Sequence, residues 1–256
     1  MNSNDPIERP LSVIIPSYNE ESTVEQVIRS VFAVDLVGEV IVVDDCSGDR
    51  TAEVVERLCS EFPQLQLLRH DVNQGKGAAL RTGFQAARLP YAIVQDADLE
   101  YDPREFELVV RPLIDGSCDV CYGSRYLKDN PRRVLTFWHT MGNRFLTTLS
   151  NMVTNMYVTD METCYKAFRR EVIQGLTIEE NRFGFEPEVT AKIARHDFRV
   201  MEVAISYYPR SFSEGKHIGW KDGVRAIYCI LKYGFFRRKS SPFMLCETDD
   251  NSIHDK

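Results

Sequence analysis

Residues 11–45 read LSVIIPSYNEESTVEQVIRSVFAVDLVGEVIVVDD, and this stretch decides the fold class. Both ends are apolar runs rich in Val and Ile, LSVIIP at 11–16 and EVIVVDD at 39–45. Such runs are typical of parallel strands that are buried on both faces. Between them, apolar residues recur every three or four positions, as on one face of a helix. The order of strand, helix and strand predicts the start of a parallel α/β sheet.

The same alternation continues to residue 96. We predict a helix at 49–62, a strand at 65–70, a helix at 75–87 and a strand at 91–96. Four strands joined by three crossover helices predict a doubly wound, mainly parallel sheet flanked by helices in a single α/β domain.

The second half of the chain is less regular. We predict further strands at 118–124, 164–170 and 198–208, and helices at 102–113, 134–158, 185–195 and 220–236. In the first of these helices, Asp102 is expected as the N-cap, Pro103 at the first helical position and Glu105 as the partner in a capping box. The helix at 134–158 is expected to place apolar residues along one side, namely Leu135, Trp138, Met141, Phe145, Leu149 and Met152.

Composition and charge narrow the class of protein. The chain has 256 residues, of which 43% are hydrophobic and 27% charged, as in ordinary soluble proteins. A net charge of −7 gives no indication of a nucleic-acid partner. No apolar run reaches the roughly 18 to 20 residues that span a membrane, and the polar start MNSNDPIERP does not resemble a signal peptide. Seven cysteines without regular spacing indicate reduced thiols, so we expect a cytoplasmic protein.

Polar residues follow three of the predicted strands. SYNE follows the first strand at residues 17–20, Asp44 and Asp45 end the second, and Asp96 and Asp98 follow the strand at 91–96. Because ligands of open parallel sheets bind beyond the carboxyl ends of the strands, we predict a ligand site at this edge. The chain contains neither GxGxxG nor a Walker lysine loop, and Lys76 at a glycine-rich helix start is weak evidence for an anion site.

The stretch QDADLEYD at 95–102 raises a question of charge. Asp96, Asp98 and Glu100 stand at alternate positions, and three carboxylates so close repel one another unless a positive charge offsets them. One explanation is an exposed surface loop in which water screens the three carboxylates. The other is a divalent cation, because Mg²⁺ and Mn²⁺ prefer such hard oxygen ligands.

Five motifs in order give this chain a resemblance to a known family. SVIIPSYNE, VIVVDDCSGDRT, NQGKGAALRTG, VQDADLEYDP and GSRY occur between residues 12 and 126 at the spacing seen in family 2 glycosyltransferases with a GT-A fold. The second half, with TDMETCYKAFRREV and RFGFEPEVTAKIAR, resembles the branch that includes dolichol-phosphate mannose synthases and bacterial polyprenyl-phosphate hexose transferases. The resemblance implies a GT-A domain at 10–236, with a nucleotide-sugar half at 10–126, an acceptor half at 127–236, and flexible termini at 1–9 and 240–256.

The resemblance implies a role for each matching residue. Asp98, Arg125 and Arg144 would be catalytic, the two arginines by holding the acceptor phosphate. The metal, Mg²⁺ or Mn²⁺, would be held by Asp96, Asp98 and Glu100. The nucleotide-sugar donor would be bound by Pro16, Tyr18, Glu20, Asp45, Lys76, Asp96, Arg210 and Lys216.

The implied reaction is inverting transfer of a hexose, mannose or glucose, from a nucleotide-diphosphate sugar to a polyprenyl phosphate such as dolichyl or undecaprenyl phosphate. An acceptor phosphate is already an anion at neutral pH, so it needs arginines to hold it and no general base. Attack in one displacement inverts the anomeric carbon. The sequence does not distinguish GDP-mannose from UDP-glucose.

Other functions stay open at this point. Transfer to a sugar hydroxyl in cell-surface polysaccharide synthesis would need a carboxylate base, for which Asp160, Glu186 and Glu188 are candidates. A nucleotidyltransferase is disfavoured because its glycine-rich arginine-lysine loop is absent after the first strand, and a catalytically idle binding protein because Asp96 and Asp98 are both present.

A polyprenyl acceptor would bring the enzyme to the cytoplasmic face of a membrane. The last predicted helix is followed by Arg237, Arg238 and Lys239, and an amphipathic helix with a basic end can lie on an anionic leaflet. A core helix with a solvated basic end and contact through a membrane-protein partner are the alternatives.

Overall fold

The computed structural model describes residues 8–127, 136–209 and 220–235. Within these ranges the chain forms seven strands and eight α-helices. The strands are β1 Leu11–Ser17, β2 Val37–Asp44, β3 Leu65–Arg69, β4 Tyr91–Val94, β5 Val120–Ser124, β6 Lys166–Arg169 and β7 Val200–Ala204. The helices are α1 Val24–Phe32, α2 Thr51–Cys59, α3 Lys76–Ala86, α4 Phe106–Ile114, α5 Phe137–Thr154, α6 Arg170–Gly175, α7 Phe185–Ile193 and α8 Trp220–Phe235.

The strands form one mainly parallel sheet in the order β3-β2-β1-β4-β6-β5-β7. Every neighbouring pair is parallel except the two pairs made by β6, which runs antiparallel to β4 and β5. The chain winds outward from β1 to β3 and then returns to the other side of β1 as β4. The boundary between β1 and β4 is therefore a topological switch point, where a crevice opens beyond the carboxyl ends of the strands.

The sheet lies within one contiguous core. β1 is buried at all seven positions, and the amphipathic helices α1 and α2 turn Val27, Ile28, Val55 and Leu58 inward. Most of the buried apolar side chains form one large cluster that extends from Leu11 to Ile230, and Ala191, Cys229 and Tyr233 form a small second one. This confirms the predicted α/β class, whereas the division into two halves stays a prediction.

The start of α4 differs in part from the prediction. Asp102 accepts a hydrogen bond from the backbone N–H of Arg104 at 3.0 Å, and Pro103 opens a short 3₁₀ helix, Pro103–Glu105, before α4. The Glu105 carboxylate accepts from the backbone N–H of Ser206 at 2.9 and 3.0 Å, so Glu105 joins α4 to the segment after β7. Its role in a capping box stays a prediction.

Helix α5 is turned with its polar side inward. Asn143, Thr147 and Ser150 are buried, while Trp138 is 81% exposed and Met152 is 77% exposed. Of the apolar residues predicted along one side, four are exposed, namely Trp138, Met141, Phe145 and Met152. Leu149 is half-buried against the core, and Leu135 lies outside the described residues. Helix α8 packs beside α5 and also exposes apolar side chains, namely Val224, Tyr228, Leu231 and Phe235. Among the described helices none is long and apolar enough to cross a membrane.

Candidate active site

Three polar segments meet at the carboxyl edge of the sheet. Strands β2, β1 and β4 lie side by side and run parallel, so their ends face the same crevice. Tyr18 follows β1 and is 50% exposed, Asp45 follows β2, and Asp96 follows β4. This arrangement agrees with the predicted position of a ligand site beside the switch point.

A lysine sits among the carboxylates at this edge. Lys76, the first residue of α3, places its Nζ 2.8 Å from Asp96 Oδ1 and 3.2 Å from Glu186 Oε1. Burial acts to lower the pKa of Lys76, but the carboxylates of Asp96 and Glu186 outweigh it and hold the pKa well above its ordinary value. Lys76 therefore offsets part of the repulsion among the carboxylates, and it links the end of β4 to α7.

Asp98 and Glu100 have different surroundings. The backbone N–H of Glu100 donates to Asp98 Oδ1 at 3.0 Å, which closes a tight turn after β4. The carboxylate of Glu100 turns away, because its Oε2 accepts from the hydroxyl of Tyr207 at 2.7 Å. Within residues 8–127, 136–209 and 220–235 no three His, Cys, Asp or Glu side chains converge as metal ligands. The structure therefore does not gather Asp96, Asp98 and Glu100 around one point.

The donor set at the end of β4 still fits a hard divalent cation. Asp96 and Asp98 are both partly exposed at the crevice and supply carboxylate oxygens, and Mg²⁺ commonly takes only one or two carboxylates, with phosphates and water completing its shell. Lys76 occupies Asp96 Oδ1, so a cation and the lysine compete for this carboxylate. The assignment of the metal to Asp96 and Asp98 stays a prediction.

Asp45 supports the loop that leads into α3. Its carboxylate accepts from the backbone N–H groups of Gln74 at 2.9 Å and Gly75 at 2.6 Å, and His70 Nδ1 lies 2.7 Å from it. Gly75 has a φ of 99°, and a Cβ there would meet the carbonyl oxygen of Asn181 at 2.4 Å. Asp45, predicted as a nucleotide ligand, thus also positions the loop before Lys76.

The neighbouring Asp44 is a candidate that the sequence reasoning passed over. Its Oδ2 accepts from the backbone N–H of Ser47 at 3.2 Å. Its Oδ1 is buried and has no hydrogen-bond partner in the described part of the chain. The DD pair at the end of β2 was a visible signal, but the choice between the two aspartates needs the direction of each side chain.

Of the other predicted donor-binding residues, Pro16 lies in β1 and Glu20 in the loop that follows it. Pro16 is buried within β1. Thr23 Oγ1 lies 2.8 Å from Glu20 Oε2 and 2.9 Å from the carbonyl oxygen of Ala97, so the loop after β1 is tied to the turn that carries Asp98. Arg210 and Lys216 lie outside the described residues, and the roles of all these side chains stay predictions.

Arg125 forms a buried, forked ion pair with Asp160. Its Nε lies 2.7 Å from Asp160 Oδ2 and its Nη2 lies 2.8 Å from Oδ1. Burial acts to lower the pKa of Arg125, and Asp160 outweighs this effect and keeps the pKa well above its ordinary value. Arg125 is therefore permanently charged, while Asp160 neutralises it at short range.

Arg144 lies close to this pair but has a different exposure. It is exposed on α5, next to the buried Asn143, which donates to the hydroxyl of Tyr126 at 2.9 Å. Burial raises the pKa of Tyr126, and the positive charges of Arg125 and Arg144 oppose that increase. The structure thus brings both predicted acceptor-binding arginines near Tyr126, with Arg144 the more accessible of the two.

The three candidate bases are not equivalent. Both oxygens of Asp160 accept from Arg125. Glu188 is fully buried, and its oxygens accept from the backbone N–H groups of Glu179 and Glu180, each at 2.8 Å. Glu186 is buried, and it is the one of the three that contacts Lys76 at the edge of the crevice.

Glu162 and Lys166 are two charged residues near the site that the sequence reasoning did not assign to it; Lys166 is fully buried, and Glu162 is half-buried with its Oε1 buried. Lys166 Nζ donates to the carbonyl oxygen of Met161 at 2.8 Å and to that of Thr163, so it holds the turn that carries Glu162. Burial and the nearby Glu186 raise the pKa of Glu162 to about 8, and burial lowers the pKa of Lys166 to about 8. The motif TDMETCYK contained both residues, but their burial was not visible from spacing.

Comparison with known proteins places this chain in a glycosyltransferase family. Residues 12–177 match the sequence model described as "Glycosyl transferase family 2". The chain is 30% identical over 213 residues to glycosyltransferase AglD of Haloferax volcanii, covering 78% of this chain and 33% of that protein. It is 29% identical over 229 residues to the dolichol-phosphate mannosyltransferase of Pyrococcus furiosus, covering 87% of this chain and 64% of that protein.

Two further matches extend over most of both chains. The polyprenol monophosphomannose synthase of Mycolicibacterium smegmatis is 27% identical over 237 residues, covering 90% of this chain and 88% of that protein. The glucosyl-3-phosphoglycerate synthase of Mycobacterium tuberculosis, solved with Mn²⁺, UDP and glucosyl-3-phosphoglycerate, superposes with a TM-score of 0.67 at 21% identity, covering 88% of this chain and 80% of that chain. At that identity the likeness shows the fold alone, which is that of the GT-A glycosyltransferases.

Proposed function

Because the chain belongs to glycosyl transferase family 2, we propose that it is an inverting hexosyltransferase that moves mannose or glucose from a nucleotide-diphosphate sugar to a polyprenyl phosphate. The alternative is transfer to a sugar hydroxyl. The two reactions share the donor and differ in the acceptor, so the groups opposite the donor site decide between them.

The observation that carries the proposal is the charge arrangement across the crevice. Asp96 and Asp98, at the end of β4, lie on the donor side, and the arginines at 125 and 144 lie on the acceptor side. Arginines suit a phosphate acceptor, because their planar donors match phosphate oxygens. Of the three candidate bases that a hydroxyl acceptor would need, Asp160 and Glu188 are already committed to other contacts.

The described residues supply most of the binding chemistry. Asp96 and Asp98 would hold Mg²⁺ or Mn²⁺, which when bound neutralises charge on the departing diphosphate. Lys76 would contribute a second positive charge near that diphosphate. Arg144 would hold the acceptor phosphate. The buried ion pair of Arg125 and Asp160 would form the surface below that phosphate. In this arrangement the acceptor oxygen attacks the anomeric carbon from the face opposite the diphosphate, which inverts the configuration.

The outward apolar face of α5 and α8 supports a lipid acceptor. Trp138 and Phe145 on α5 and Phe235 on α8 are 81%, 58% and 65% exposed, and large exposed apolar surfaces mark protein or membrane interaction sites. Trp and other large apolar side chains partition to the membrane interface. We propose that this face brings the enzyme to the cytoplasmic face of a membrane, either directly or through a membrane-protein partner. The basic residues 237–239 lie outside the described residues.

The test is transfer of radiolabelled hexose from GDP-mannose or UDP-glucose to a short-chain polyprenyl phosphate, followed by lipid extraction. We expect labelled lipid with Mn²⁺ present and none after chelation or in Asp98→Asn. Arg144→Ala should raise the KM for the lipid about tenfold or more while changing the KM for the donor little, and Arg111→Ala on the surface of α4 serves as the charge-matched control. Equal effects of Arg144→Ala on both KM values would contradict the acceptor assignment.

The hydroxyl alternative has its own discriminating variant. Glu186 is the carboxylate that contacts Lys76 at the edge of the crevice, so it is the base to test. With a phosphate acceptor, Glu186→Gln should retain most of the activity. A loss of 100-fold or more, with product formed on a saccharide instead of a lipid phosphate, would favour the alternative.

A further inference from the structure

Glu162 is close to charged groups from both sides of the proposed site. The charged groups that act on it most strongly are Glu186, Lys166, Arg125 and Asp160, in that order. Glu186 belongs to the donor side through its contact with Lys76, and Arg125 with Asp160 belongs to the acceptor side. In any transfer between these sides, the migrating sugar must occupy the space between them.

The hydrogen bonding of Glu162 is incomplete in the described part of the chain. Its Oε1 is buried without a hydrogen-bond partner. The nearby ammonium group of Lys166 is already directed at the carbonyl oxygens of Met161 and Thr163. Buried polar atoms are almost always satisfied, and an exception is often a group that awaits a ligand.

We propose that Glu162 binds a hydroxyl group of the transferred hexose and so helps to select the sugar. This inference rests on the proposed function, because it requires a nucleotide-sugar donor in the crevice. The side chain is suited to this role in either protonation state: a carboxylate accepts a hydrogen bond from a hydroxyl, and a carboxylic acid also donates one. Because burial and Glu186 raise its pKa to about 8, the protonated form is well populated at neutral pH.

Sugar binding explains this environment better than a role as general base. A base must be ionised at the working pH and must reach the acceptor proton. Burial, Glu186 and Asp160 raise the pKa of Glu162 and outweigh Lys166 and Arg125, which act to lower it, so ionisation is disfavoured. A phosphate acceptor also brings no proton that must be removed. A neutral carboxyl beside the sugar can still discriminate strongly, because a site built to bond a hydroxyl rejects an analogue that lacks it.

The experiment compares binding of a nucleotide sugar with binding of its nucleoside diphosphate. Calorimetry with Mn²⁺ uses GDP and GDP-mannose, or UDP and UDP-glucose, with the wild type, Glu162→Met and Glu162→Gln. We expect Glu162→Met to weaken nucleotide-sugar binding about tenfold while diphosphate binding stays within twofold, and Glu162→Gln to recover most of the loss. Glu171→Gln, on the exposed side of α6, is the matched control that should change neither.

A panel of monodeoxy nucleotide sugars identifies the hydroxyl. The wild type should lose about tenfold in affinity for one analogue, and Glu162→Met should bind that analogue and the parent sugar equally. Equal weakening of diphosphate and nucleotide sugar by Glu162→Met would overturn the inference and indicate a structural role. If Glu162→Met does not fold, the same panel on Glu162→Ala decides, and a profile in that variant equal to the wild-type profile overturns the inference. If the wild type binds no diphosphate with Mn²⁺, the proposed function itself fails.

Discussion

At the scale of single residues, each of the three carboxylates after β4 contacts a different partner. Asp96 pairs with Lys76, Asp98 accepts from the backbone of the following turn, and Glu100 accepts from Tyr207. The sequence predicted that a positive charge must offset the repulsion, and it also placed Lys76 near the site. It did not predict their direct contact, because the two residues lie 20 positions apart in the sequence and meet only through the fold.

The Lys76–Asp96 contact predicts a competition between the lysine and a cation. Replacing Lys76 by Met removes a positive charge and releases Asp96 Oδ1, which lies 2.8 Å from the ammonium nitrogen. We expect Mn²⁺ without nucleotide to bind Lys76→Met about fivefold more tightly, because like charges at this range repel even in a partly solvated site. Calorimetric titration of Mn²⁺ measures the change.

The control for this titration is Arg111→Met, which removes one positive charge from the exposed surface of α4. It should leave Mn²⁺ affinity within about a factor of two, because surface charges are screened at physiological salt. Unchanged or weaker Mn²⁺ binding in Lys76→Met would show that Asp96 does not hold the cation.

At the scale of elements, the sequence predicted strands more successfully than the direction in which helices face. The runs of β1 and β2 are continuously apolar, so they are stable only when buried in the sheet, and their position followed from composition. Helix α5 has an apolar side and a polar side, and the fold buries Asn143 and Thr147 of the polar side. Asn143 explains this choice, because it donates to Tyr126 and to Asp160 beneath the site, and these partners are distant in sequence.

The outward face of α5 predicts that substitutions there weaken membrane binding without changing the stability of the fold. Trp138→Ser and Phe145→Ser each remove an exposed aromatic ring, so the free energy of unfolding in urea should change by less than about 1 kcal/mol. Binding to vesicles that contain anionic lipid should fall by about tenfold in the double variant. The reason is that the two replaced rings no longer bury apolar surface in the membrane–water interface. Co-flotation with the vesicles measures the change.

The matched control for this face is Leu108→Ser on α4, which removes a side chain that is 50% exposed on a different helix. It should leave vesicle binding unchanged. Equal loss of binding in the control, or no loss in the α5 double variant, would show that α5 does not contact the membrane. Capture of the wild type by vesicles only in the presence of a membrane protein would favour the partner alternative.

At the scale of the whole molecule, the sheet topology explains how short motifs that are far apart in the sequence come together at one edge of the sheet. Strands β1 and β4 are adjacent at the switch point, although the paired residues Ile14 and Val94 lie 80 positions apart in the sequence. The loops that follow these strands also meet, because Thr23 contacts Ala97, 74 positions away. The order β3-β2-β1-β4 forces the residues after each strand into one crevice. The inner contacts, above all Asp45 with the loop before α3 and Arg125 with Asp160, depend on side-chain directions that spacing does not encode.

This crevice predicts that metal and nucleotide stabilise the fold together. A ligand that binds only the native state raises stability by RT ln(1 + [L]/Kd), about 2.7 kcal/mol at 100 times Kd. We expect Mn²⁺ with GDP or UDP to raise Tm by several degrees, and either component alone to raise it much less, because the diphosphate supplies ligands that Asp96 and Asp98 do not. Thermal unfolding with and without EDTA measures the effect. Asp98→Asn should abolish the joint increase while keeping the Tm of the unliganded protein within a few degrees, and an undiminished joint increase in that variant would contradict the role of Asp98 as a metal ligand.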